Sequence, residues 1–134
     1  MAVLRLSTTA RNALADAIKT AIDAGSGVGT IKIYSGSQPA TPQDAPTGVL
    51  LVTLAFGDPS FGSASVGVIT ANAIAQVNAV ATDTAGYARI ADSDGNAIMD
   101  VDVGTSGCTI NLNTTSIVTG GPVSITSATI TMPQ

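Results

Sequence analysis

Gly86-Tyr-Ala-Arg-Ile-Ala91, Asp92-Ser-Asp-Gly-Asn96 and Ala97-Ile-Met-Asp-Val-Asp-Val103 follow one another without a break, and how they are read decides the fold. The middle stretch is a turn by its chemistry. Asp and Asn side chains accept hydrogen bonds from nearby backbone N–H groups, and Gly95 can take a positive φ. In the third stretch Ala97, Met99, Val101 and Val103 alternate with Ile98, Asp100 and Asp102, which gives one apolar face and one acidic face at the two-residue period of a strand. Gly86–Ala91 is β-rich on the other side of the turn. The three stretches together predict a β-hairpin.

Outward from this hairpin the same pattern recurs. Thr30–Tyr34 alternates and reads as the first core strand. Val49–Ala55 is a near-continuous apolar run, predicted to be a strand covered on both faces or one paired with another molecule. Ser65–Thr70 and Ala73–Ala81 flank a turn at Ala71-Asn72. Thr109–Leu112 and Thr115–Val118 are short strands. In the last strand, Val123–Met132, the apolar parity switches from Val123 and Ile125 to Ala128, Ile130 and Met132, which predicts a β-bulge near Ser127. Before all of these comes a single helical stretch, Ala10–Ala24, with cap candidates at Ser7–Thr9 and a stop at Gly25. Its wheel puts Ala10, Leu14, Ala17, Ile18, Ala21 and Ile22 on one stripe, with Arg11 at the edge. The expectation is a mainly β chain, an antiparallel sandwich or jelly-roll-like domain with one N-terminal α-helix. It forms one domain over 1–134, with residues 1–25 as the N-terminal segment and helix and 30–134 as the strands.

Composition narrows the function classes. The 134 residues include no histidine, glutamate or tryptophan, one cysteine, nine acidic and five basic side chains, for a net charge of −4. Without histidine, neither a Ser-His-Asp nor a Cys-His device can be assembled from one chain, and a conventional zinc site is excluded. The expectation is no catalytic residue, no metal and no cofactor. Asp92–Asn96 departs from a calcium loop, because its glycine comes fourth and the twelfth position is Val103; the turn reading is preferred. Cys108 has no basic neighbour in sequence to activate it and reads as a small hydrophobe. Gly25–Thr30 follows a helix and precedes a strand, the reverse of a phosphate loop. Arg5, Arg11, Lys19, Lys32 and Arg89 are scattered on an acidic chain, which argues against nucleic acid as a partner. The longest apolar run is too short for a bilayer, and the first residues carry no secretory pattern, so a soluble protein made in a cytoplasm is expected.

Two features suggest partner contacts instead. Residues 35–48 carry Pro39, Pro42 and Pro46 with two glycines, a composition that forbids regular pairing. A connection of this length reads as an interaction arm. Phe56 and Phe61 bracket a Gly/Pro turn. They read as core corners of the β-domain, with a binding knob as the alternative. Arg11 reads as snorkelling from the helix edge or bridging to a partner, and Tyr87 beside Arg89 as a half-buried strand pair.

Leu6-Ser-Thr-Thr-Ala-Arg-Asn-Ala-Leu-Ala-Asp-Ala-Ile18, Ile31-Lys-Ile-Tyr-Ser-Gly-Ser-Gln-Pro-Ala-Thr-Pro42, Thr47-Gly-Val-Leu-Leu51 and Ala85-Gly-Tyr-Ala-Arg-Ile-Ala-Asp-Ser-Asp-Gly95 together resemble small virion structural proteins of tailed bacteriophages. The resemblance covers most of the chain through turn and strand patterning. It implies a component of a virion, a cement or decoration protein on the outer capsid surface. Its partners would be the major capsid protein or other virion proteins, and it would form a dimer or trimer. Other readings are a head–tail joining or tail accessory protein, a carbohydrate- or receptor-binding β-module, against which the scarcity of aromatics counts, and, weakest, an enzyme built on aspartates.

Overall fold

The computed structural model describes residues 4–133. Strands are β1 (Thr30–Ser35), β2 (Leu50–Ala55), β3 (Val68–Thr70), β4 (Val77–Asn78), β5 (Asp83–Ala91), β6 (Ala97–Gly104), β7 (Ile110–Leu112), β8 (Ser116–Ile117), β9 (Pro122–Val123) and β10 (Ile125–Thr131), and the helix is α1 (Thr8–Ile22). The main sheet runs β2-β1-β5-β6-β7-β10-β3, with β8 paired to the start of β5, and β4 with β9 forms a small second sheet. The protein is mainly β with one helix among the described residues, a curled, antiparallel-rich sheet compatible with a β-sandwich-like domain.

Alternation along the central strands separates two faces. Register places Ile31 opposite Ile90 and Ile33 opposite Ala88, and across β5 and β6 it places Ile90 opposite Met99. These side chains, with Val52, Leu54, Ile69, Ile110 and Ile130, build the core. The opposite face carries Lys32 opposite Arg89, Tyr34 opposite Tyr87, and Asp100 opposite Arg89. The bulge expected near Ser127 is present as a register shift between Ile125 and Ser127. One pair departs from antiparallel. Val103 and Gly104 lie parallel to Ile110 and Asn111, reached through a short excursion tied by Thr109 N–H donating to Asp102 Oδ1 (3.2 Å) and Cys108 N–H to Asn111 Oδ1 (3.1 Å).

Two expectations are corrected. First, β2 is not covered on both faces, since Thr53 and Ala55 are exposed; it is an edge strand of the sheet, which does not bear on the alternative of pairing with another molecule. Burial on both faces holds only around Leu51 and Val52, where Val80 N–H donates to Leu51 O at 2.8 Å. Second, the buried stripe of α1 is Arg11, Ala15 and Ile22, with Ile18 half-buried, while Leu14 is 45% exposed. The stripe is rotated by one position, and the guanidinium of Arg11 is buried with it, against Gly67 and bonded to the Met132 carbonyl, which a wheel that scores arginine as polar cannot register. Ser7 caps the helix by accepting from Ala10 N–H at 3.1 Å. Ile22 then packs beside Gly29, at the foot of β1.

Several predicted strands are shorter than their apolar patterns. Only Val68–Thr70 of 65–70 and Val77–Asn78 of 73–81 pair regularly. Of the other apolar residues in these segments, Ile74, Ala79 and Ala81 still pack on the core, whereas Val66 and Val80 are exposed.

Candidate functional site

The polar face of the central strands is not open. Residues 36–49, which join β1 to β2, fold back across it as a strap. Tyr87, fully buried, accepts from the Thr47 N–H and donates to the Thr47 carbonyl, both at 2.9 Å. Arg89 Nη1 donates to the Asp44 carbonyl at 2.7 Å. The same guanidinium grips Asp100 with two bonds, Nε to Oδ1 at 2.8 Å and Nη2 to Oδ2 at 3.0 Å. Both partners are nearly buried, with side chains 9% and 3% exposed, so the bidentate geometry is what makes burial of the two charges tolerable. The bond to Asp100 raises the pKa of Arg89 above its ordinary value. Tyr34 stacks on Tyr87 with ring centroids 5.3 Å apart. Burial, followed by the neighbouring Tyr87, raises the pKa of its phenol.

The strap also holds itself. Thr47 Oγ1 donates to the Ser37 carbonyl, and Asp44 and Thr41 exchange two bonds that close a turn in its middle. At its base, Ser35 N–H donates to Val49 O and Ser35 Oγ accepts from Val49 N–H. Gly36 lies so close to β5 that a methyl group at Gly86 would overlap its carbonyl oxygen. The segment expected at 35–48 as an interaction arm thus lies against its own sheet along one side. The segment has no regular strand beyond Ser35, as its prolines require, but its backbone is tied to its own sheet. Pro39 and Pro42 are half-buried and Pro46 is exposed, and the outward side, from Gln38 to Gln43, carries no charge.

The other residues singled out from sequence are placed elsewhere. Phe56 and Phe61 are 3% and 1% exposed, pack on each other at 5.4 Å and belong to the core, so they offer no partner a knob. Arg11 is 6% exposed, and its Nη2 donates to the Met132 carbonyl at 3.1 Å. It joins the helix to the end of the last strand and has no free head to offer outward. Asp92 Oδ1 accepts from the N–H groups of Asp94 and Asn96, and Oδ2 accepts from the Asn96 side chain. These bonds, the Asn96 side chain foremost, lower the Asp92 pKa, as expected of a turn that uses its own carboxylate. Cys108 is half-buried, and burial followed by its contact with Asp102 raises the pKa of its thiol. Among the described residues no three His, Cys, Asp or Glu side chains gather as a metal site, and no helix is long and apolar enough to cross a membrane. A shallow hollow of about 250 Å³ between residues 113–118 and 121–123 is lined mainly by Ile117, Val118, Pro122 and Val123, without an ionisable group.

No protein-family model, curated protein or solved structure matches this chain.

Sequence reasoning missed the connection from Tyr87 and Arg89 to Asp44, Thr47 and Asp100. Part of the signal was available, since Tyr87 and Arg89 are two apart and share a face. The partner was hidden by a register shift. Centring the hairpin on Asp94 pairs Ala91 with Ala97, as observed, and would pair Arg89 with Met99. A shift between Ile90 and Ala91 moves Arg89 opposite Asp100.

Proposed function

We propose that this chain is a non-enzymatic structural protein of a virion, seated on the outer surface of a capsid as a cement or decoration protein. The observation that carries this reading is the strap. One side of it is bonded to the sheet, leaving an exposed, proline-containing ridge at 38–43 whose own residues are uncharged. A ridge tied down by these bonds can meet a partner at less entropic cost than a free loop. The net charge of −4 suits the outside of a shell better than its DNA-facing side. Capsid positions come in symmetric sets, so the working form is a dimer or trimer.

The test is to deplete particles of the protein and follow genome release on heating. A ligand that binds only the assembled shell stabilises it by mass action. Depleted particles should open at a lower temperature, and adding back purified protein should restore resistance and saturate at a stoichiometry set by the lattice. Depleted particles that keep their heat resistance but fail to acquire tails would overturn the cement reading in favour of a joining role.

A further inference from the structure

We infer that Tyr87, supported by Arg89, is a positioning residue for docking: it latches the strap in the shape that a protein partner meets. The inference rests on the reading of the strap as the docking surface. Tyr87 has its ring fully buried and stacked on Tyr34, so its hydroxyl stands at a fixed point above the sheet. It spends both hydrogen-bonding directions on one peptide residue, accepting from Thr47 N–H and donating to Thr47 O. Arg89, two residues on along the same strand, fixes the Asp44 carbonyl. Thr47 and Asp44 bracket Ala45 and Pro46, so the two grips hold the descending limb of the strap. The Thr41–Asp44 turn transmits that hold to the exposed ridge at Gln38–Gln43.

The partner chemistry follows from the ridge. Gln38, Ala40, Thr41 and Gln43 are exposed and uncharged, Pro39 and Pro42 are half-buried, and the one carboxylate beside them, on exposed Asp44, is bonded to the Thr41 N–H. Such a surface fits a protein face of neutral polar and apolar groups. Attachment should therefore change little with ionic strength, because salt screens charges and leaves neutral contacts in place.

Tyr87→Phe removes the hydroxyl and keeps the buried ring. Thr47 is exposed, so its freed peptide groups turn to water, and the fold should survive with a melting temperature lower by roughly ten degrees or less, since two hydrogen bonds are lost and each is a small net contribution. Three measurements on the full chain test the latch: amide exchange at Thr47 and Asp44, melting temperature, and binding to depleted particles. A variant lacking Gln38–Gln43 is measured alongside. The expected result is exchange at Thr47 faster by tenfold or more, unchanged protection in β5 and β6, and particle affinity lower by about tenfold through the cost of ordering a loosened loop. Loss of binding on deletion but wild-type binding by Tyr87→Phe would overturn the latch and leave the strap as docking surface. Wild-type binding by the deletion variant would remove both. Unchanged exchange at Thr47 would overturn the latch by itself. Should Tyr87→Phe fail to fold, amide exchange of the unaltered protein carries the test: protection at Thr47 is expected despite its exposure, and exchange at the rate of an unbonded loop amide would overturn the latch.

Discussion

Arg11 and Arg89 are buried to nearly the same depth, 6% and 7% exposed, yet their surroundings differ. Arg89 spends its guanidinium on two oxygens of Asp100 and one peptide carbonyl. Arg11 has the Met132 carbonyl, and its Nε has no acceptor among the described residues. The first arginine is a junction in a polar layer, where strand, neighbouring strand and strap meet on one group. The second is a buried charge with one backbone acceptor and no carboxylate. Depth of burial alone therefore says little about what a charged residue does. The number and kind of acceptors around it separate a structural clamp from a spacer.

The largest expected effect breaks the clamp. Asp100→Ala should lower unfolding stability by about 3–5 kcal/mol, because it strands the buried guanidinium of Arg89 without its carboxylate. Urea unfolding followed by circular dichroism measures it. Next comes the helix side, where Ile22→Ala should cost about 3 kcal/mol by leaving a cavity beneath α1. Arg11→Met keeps the stem and deletes the charge, with no carboxylate left behind, so it should change stability by about 1 kcal/mol or less. A loss for Arg11→Met as large as that for Asp100→Ala would erase the distinction between the two arginines.

The smallest effect concerns Asp92, on neither layer but at the hairpin tip. Its folded pKa is lowered by bonds from Asn96, Asp94 and Gly95. A group lowered in the folded state contributes stability that is fully present above its unfolded value, near 4, and lost as pH falls through the lower folded value. The melting temperature of Asp92→Asn should therefore fall below that of the unaltered protein at pH 6, and the gap should narrow as both are taken toward pH 2. A gap that stays constant with pH would show that the charge of Asp92 plays no part in holding the turn.

How much of this was legible depends on the range of the interaction that decides it. The hairpin around Asp92–Asn96 and the bulge in β10 follow from residues adjacent in sequence, and alternation read them correctly. The α1 stripe was misplaced because the competing faces differ by one position and the buried acceptor of Arg11, the Met132 carbonyl, is far away in sequence. The strap was recognised as irregular from Pro39, Pro42 and Pro46, but nothing local says where it lies. Its seat is set by Tyr87 and Arg89, about forty positions away, meeting backbone groups of Asp44 and Thr47. Backbone acceptors are the same in every residue, so no side-chain pattern marks them.

The contact between Gly36 and Gly86 has a mechanical side. The strap crosses β5 with no clearance at that point, so the smallest possible side chain at position 86 would act as a wedge under its near end. Gly86→Ala would press there while leaving Tyr87, Arg89 and Asp100 chemically untouched. A single methyl group thus becomes a lever arm against the two grips farther along the loop, and whichever gives way first reveals which of them bears the strain.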